Sequence, residues 1–225
     1  MKKNIHMLSM SDRVIPKNLI NTLSPVIHLF INDCSGSMDV YKSAMSRALM
    51  QRKQELLNQN EVNSIIIGRV DFGDSDIDVY NFTSVENMDT CYNCDGGTPL
   101  YQAIYLSQRW FCNGKDGVID LLTEQGYAPR AYVWIWSDGE DTGGCSLEDA
   151  CRSIQTYHNN GVTVAMVSFG QGSEKVLALG IKEGNIRSCK NSDEDFQMVN
   201  AAVTQSSVVA SRSSMQITEN IFDND

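Results

Sequence analysis

Hydrophobic positions along the chain fall into short, nearly continuous runs separated by stretches of helical periodicity. Val26 to Asn32 (VIHLFIN), Ala131 to Ser137 (AYVWIWS) and Val162 to Phe169 (VTVAMVSF) are apolar at almost every position. That is the pattern of strands buried on both faces of a mostly parallel sheet. From Val40 to Leu57, residues Val40, Ala44, Met45, Ala48, Leu49, Leu56 and Leu57 recur at helical spacing, with Lys42, Arg47, Arg52 and Lys53 off that stripe. Further helices are predicted over Pro99–Phe111, with Pro99 suited to a first turn, over Gly117–Glu124, and over Ser146–Tyr157, where Ser146-x-x-Asp149 approximates a capping box. Glu174–Ile181 and Glu194–Val209 complete the helices, and Asn185–Cys189 gives a last strand. Ser64–Gly73 and Ile77–Val85 read as two strands joined by the short turn Asp74-Ser75-Asp76. So short a turn requires an antiparallel pair, which puts the second of them at the sheet edge. The alternation predicts an α/β chain: a Rossmann-like, doubly wound, mostly parallel sheet with one antiparallel edge strand and helices on both faces.

At 225 residues, with 42% hydrophobic and 20% charged residues, the chain suits one folded domain with a substantial core. We expect residues 1–24 to form a polar arm, bracketed by Pro16 and Pro25, residues 25–214 to form the domain, and residues 215–225 to fray as a tail. A net charge of −10 repels phosphate backbones and anionic lipid headgroups, so neither nucleic acid nor membrane is an expected partner. Lys2 and Lys3 are followed by His6, Ser9, Ser11, Asp12 and Arg13, which break any apolar signal region, and the expectation is a soluble protein. Seven cysteines, an odd number in a chain large enough to fold without staples, fit a reducing cytosol better than a disulfide framework.

Chemistry gathers where two apolar strands each deliver an aspartate, Asp33 and Asp138, because ligands of open α/β sheets bind beyond the carboxyl ends of the strands. After Asp33, the loop Ser35-Gly36-Ser37 can turn alternate hydroxyls the same way around a glycine. Hard oxygen donors without histidine or required thiolate favour Mg²⁺ or Mn²⁺, with Ca²⁺ less favoured because it wants more ligands. Neutral hydroxyls leave the ion much of its charge, so it can accept an outside carboxylate.

Asp33-Cys34-Ser35-Gly36-Ser37-Met38 resembles the Asp-x-Ser-x-Ser motif of the metal-ion-dependent adhesion site in von Willebrand factor A (VWA) domains. Gly96-Gly97-Thr98-Pro99-Leu100 resembles the loop supplying that site's threonine, and Ser137-Asp138-Gly139-Glu140-Asp141 the strand end supplying its second aspartate. The three pieces occur in family order, and the resemblance covers roughly Pro25 to Val209. It implies a VWA fold whose metal ligands are Asp33, Ser35, Ser37, Thr98 and Asp138. Ser35 and Ser37 would ligate directly, the aspartates directly or through water, and Thr98 from a movable loop. It further implies a non-enzymatic module that docks an Asp or Glu of a partner protein, similar to stand-alone bacterial or phage proteins such as those of tellurite-resistance-type stress operons.

Plainer explanations exist for each piece. Ser37 or Asp39 can cap the helix near Val40, and Asp39, Glu140 and Asp141 suit surface charges or dipole complements. Cys91-x-x-Cys94 has half a zinc site's spacing but no second such pair. His28, inside an apolar strand, suits a satisfied core histidine. Gly170-x-Gly172 lacks the third glycine of a dinucleotide fingerprint. The rival functional class is a metal-dependent hydrolase or phosphatase, disfavoured because no general base is evident, and a second rival is a metal-free scaffold.

Overall fold

The computed structural model describes residues 2–58, 65–73, 76–170, 173–189 and 193–222. Among them, seven strands form one sheet: β1 (Lys2–Asn4), β2 (Val26–Asp33), β3 (Ile65–Gly73), β4 (Asp76–Ser84), β5 (Arg130–Ser137), β6 (Thr163–Phe169) and β7 (Ile186–Cys189). Their spatial order is β1-β4-β3-β2-β5-β6-β7. The five strands from β3 to β7 in that order are mutually parallel, while β4 runs antiparallel to β3 and β1 antiparallel to β4. The strands with continuous apolar sequence, β2, β5 and β6, are buried at every position and lie at the centre, where both faces are covered.

Among the described residues, six helices cover the sheet: α1 (Lys42–Leu57), α2 (Leu100–Phe111), α3 (Val118–Glu124), α4 (Leu147–Asn159), α5 (Ser173–Ala178) and α6 (Asp193–Arg212). One core packs Ile27, Leu29 and Ile31 of β2 against Leu100, Ile104, Ala150 and Ile154 of α2 and α4. The other packs Phe30, Tyr132, Trp134 and Trp136 against Met45, Ala48 and Leu49 of α1 and Phe196, Val199 and Val203 of α6. The period-2 alternation of side chains along β2 is what feeds both cores from one strand. The fold is the predicted α/β doubly wound one.

Several local expectations are corrected. The outer strand on the antiparallel side is β1, not β4: Lys2 pairs with Tyr80, and Asn4 with Asp78. Residues 1–24 thus contribute a strand, and Ile5 and Ile15 are buried against the main core. The segment 216–222 is anchored rather than frayed, although Met215 is exposed. The Gln216 side chain accepts from Ala131 N and donates to Ala131 O (3.1 and 2.9 Å), and Ile221 and Phe222 are buried. A 3-10 turn over Gly36–Tyr41 precedes α1, leaving Val40 exposed, whereas Arg52 is completely buried. Residues 74–75 of the expected turn lie outside the described residues. Among the described residues, no helix is long and apolar enough to cross a membrane.

Candidate metal site

Asp33 is the last residue of β2 and is fully buried. Its Oδ1 accepts the Ser35 N–H (3.0 Å), closing a tight turn of the kind Asp side chains favour. Its Oδ2 accepts from the Ser137 hydroxyl (2.6 Å), the last residue of neighbouring β5. The parallel register that pairs Asn32 with Trp136 brings these two strand ends level. The Ser35 and Ser37 hydroxyls lie 3.0 Å apart, and Ser37 donates to Asp138 Oδ2 at 2.5 Å. A line of oxygen groups therefore runs from buried Asp33 and Ser35 outward to exposed Ser37 and half-buried Asp138. One side of this line is open to solvent.

The loop carrying Thr98 is tied to the same end of the sheet through its backbone. Gly36 N donates to Gly96 O (2.9 Å) and Asp95 N to Cys34 O (2.7 Å). Gly96 reaches this position with a positive φ of 73°, which a side chain disfavours. Thr98 N donates to Thr142 Oγ1 and Thr142 N to Thr98 O, both at 2.9 Å, joining it to the loop after Asp138. All five residues singled out in the sequence thus lie on three loops laced together at the carboxyl end of the sheet. Hydrogen bonds link Asp33, Ser35, Ser37 and Asp138 side by side, while Thr98, buried, joins through main chain.

Burial pushes the Asp33 carboxyl up to about 6, with the negative charge of Asp138 adding to the rise and hydrogen bonds from Ser137 and Ser35 pulling against it. A buried carboxylate with a second carboxylate nearby is stabilised by a cation. Among the described residues, no three His, Cys, Asp or Glu side chains gather as a metal-binding group; the donors here are two carboxylates with hydroxyls.

Three contributors escaped sequence reasoning. Ser137 orients Asp33, Thr142 holds the Thr98 backbone, and the buried Tyr92 hydroxyl donates to Asp33 O. Tyr92 sits inside the Cys91-x-x-Cys94 segment. Nothing in a single tyrosine or serine marks a hydrogen bond that spans dozens of residues. Asp141 accepts from the Tyr101 amide in the first turn of α2 (3.0 Å), the dipole-complementing role expected of it. His28 is a satisfied core histidine, bonded to Trp134 Nε1 (3.0 Å) and the Ser211 hydroxyl (2.9 Å). Gly172 lies outside the described residues.

No known family profile matches the sequence, and none of the curated proteins does. Solved structures do resemble it. The pilus adhesin SpaC from Lactobacillus rhamnosus GG superposes with a TM-score of 0.65 at 10% identity over 85% of this chain, which spans only 31% of the adhesin. The manganese-loaded TRAP protein of Plasmodium vivax gives 0.53 at 15% identity over 80% of this chain and 72% of that one. The SpRpn10 VWA domain gives 0.54 at 10% identity, covering 80% of this chain and 95% of its own. At such identities the likeness speaks to fold alone, and together with the strand order it establishes that this chain has a von Willebrand factor A-like fold.

Proposed function

We propose that this chain is a divalent-cation-dependent protein-interaction module. Mg²⁺ or Mn²⁺ is held by Asp33, Ser35, Ser37, Thr98 and Asp138 and docks an Asp or Glu carboxylate of a partner. The observation that carries this reading is the run of oxygen groups Asp33, Ser35, Ser37 and Asp138, already within hydrogen-bond reach of one another across two strand ends. Protons now shared between hydroxyls and carboxylates occupy the contacts that a small cation takes over, and the donor set is hard oxygen throughout. The exposed side at Ser37 leaves room for an outside ligand. The manganese-loaded state of a structurally similar protein, TRAP, supports the same choice of ion.

Hydrolysis is the weaker reading, because no histidine is placed to act as base. His28 is locked in the core, His6 lies in the 3-10 turn after β1, and His158 in the last turn of α4. An odd count of seven cysteines in a chain large enough to fold without staples supports a reducing compartment. The narrower assignment to tellurite-resistance-type stress proteins rests on the motif resemblance alone.

Titration calorimetry of Mg²⁺ and Mn²⁺ into chelator-stripped protein tests the reading. About one ion per chain should bind the wild type and none Asp33→Ala, with Thr98→Ala weakened by roughly ten-fold, the scale of one supporting contact at a metal. Saturable binding that survives in Asp33→Ala would place the ion elsewhere. A wild type that binds neither ion, even with a free carboxylate added, would favour a metal-free scaffold.

A further inference from the structure

Beside the metal site, a cleft of about 840 Å³ opens over the face of the sheet formed by β3 and β4. Its size is in the range that buries a substantial ligand. The floor is apolar: Phe30, Leu49, Ile67 and Met88 line it, each almost wholly buried in the core. Five aspartates also line it, Asp71, Asp76, Asp78, Asp89 and Asp95, against two cations, Arg69 and Lys2. Both cations are already committed. Arg69 grips Asp71 through two parallel bonds of 2.8 and 2.7 Å and donates to Asp89 O at 2.9 Å, and Lys2 pairs with Asp78 at 2.6 Å. Among the described residues, no side-chain cation stands within 4.0 Å of the carboxylates of Asp76, Asp89 or Asp95. The cleft is thus an apolar floor under an acidic rim: Asp89 is held below the usual carboxylate range by the Cys91 amide and the nearby charges of Arg69 and Lys53, while Asp76 and Asp95 have no salt-bridge partner among the described residues.

We propose that this cleft takes a basic, extended segment of a protein partner, with Lys or Arg side chains on the aspartate rim and an apolar side chain on the floor. Charge complementarity selects this occupant: phosphates, anionic lipids and acidic peptides are repelled by both the rim and the overall charge of −10. The position also fits. Cys34, which follows Asp33, lines the head of the cleft, and its carbonyl accepts from the Asp95 amide at 2.7 Å. A partner whose carboxylate sat at the metal would therefore have the cleft beside it. That shared-partner geometry rests on the metal reading above, whereas the cleft's own preference for a basic segment does not.

The test measures fluorescence anisotropy of a short labelled peptide alternating Lys and Leu, added to the full chain in chelator. The expected result is saturable binding that falls about five-fold in the double variant Asp76→Asn/Asp95→Asn, the scale of two lost rim charges. Both positions are exposed, so the variant keeps its fold, which its circular dichroism verifies. No binding, equal binding of the matching Glu and Leu peptide, or undiminished binding by the double variant would each overturn the proposal. Equal affinity for an all-Lys peptide would overturn the role of the floor. Because these runs contain no metal, retained Lys and Leu binding with a failed Mg²⁺ titration overturns only the metal reading, and the converse overturns only the cleft.

Discussion

At the scale of single residues, two buried polar side chains of the α1 and α6 side show opposite solutions to the same problem. The Arg52 guanidinium is fully buried between the rings of Phe30 and Trp136, 4.8 and 4.7 Å from their centroids. None of its three nitrogens has a hydrogen-bond partner among the described residues, and burial pulls its pKa down to about 9. Stacking on two aromatic faces recovers only part of the lost hydration. Replacing it by an unbranched apolar side chain keeps the stem packing and removes the charge. Arg52→Met should raise the urea midpoint, by about 1–3 kcal/mol in unfolding free energy. A lower midpoint would mean that the stacked cation is a net stabiliser. His28, by contrast, is satisfied at both nitrogens. Trp134 Nε1 donates to Nδ1, which makes Nε2 the donor to Ser211. Burial, with the charges of Arg52 and Arg130, pushes its pKa down to about 3. The folded-state pKa lies below the unfolded value of about 6.5, so His28 contributes stability that is fully present above 6.5. It is lost as pH falls from there towards 3, at up to about 1.4 kcal/mol per pH unit. Thermal unfolding between pH 6.5 and 4.5 should therefore weaken more steeply in wild type than in His28→Gln, and identical slopes would remove His28 from the account.

At the scale of elements, the site is assembled by loops that touch through main chain, and the contact is close at Gly73, the last residue of β3. A Cβ built there meets Asp95 O at 2.8 Å and Cys34 O at 2.9 Å, both backbone atoms that cannot rotate away. Gly73→Ala would push the Asp33 and Thr98 loops apart. It should cost about 1–3 kcal/mol of stability, as overpacking does, and weaken Mg²⁺ binding in the same calorimetric titration. Unchanged metal affinity would show that the two loops are positioned independently. Helix starts tell a related story. The Ser146-x-x-Asp149 signal is a working capping box, with the Asp149 amide donating to Ser146 Oγ at 3.1 Å, and α4 begins where expected. The start of α1 was displaced because the Asp33 loop continues as a 3-10 turn through Tyr41, carrying Val40 to the surface.

At the scale of the whole molecule, segments near both ends of the chain add to the sheet. β1 extends the antiparallel side, and residues 216–222 bind across the starts of β5 and β6, where Gln216 also donates to Thr163 Oγ1 at 2.6 Å. Phe222 is buried with its ring edge-on to Trp134, 6.2 Å between centroids, and its carbonyl accepts from Arg187. Phe222→Ala should destabilise by about 3–5 kcal/mol, the cost of a large cavity in a packed core. A chemical denaturation midpoint that hardly moves would return this segment to the fraying tail its composition suggests.

What could be read from the sequence was whatever is periodic or local. The continuous runs of β2, β5 and β6 marked central strands, since only strands covered on both faces are apolar throughout. The aspartates at the ends of β2 and β5, Asp33 and Asp138, marked the candidate site, and Asp33, Ser35 and Ser37 share one loop. The tertiary structure alone decided what depends on contacts between distant segments. It set β1 on β4, buried Arg52 between Phe30 and Trp136, and recruited Ser137, Thr142 and Tyr92 to hold the candidate ligands. None of these follows from spacing, because a polar or short segment carries no periodicity to betray its partner, and a side chain's burial depends on which surface the fold brings over it.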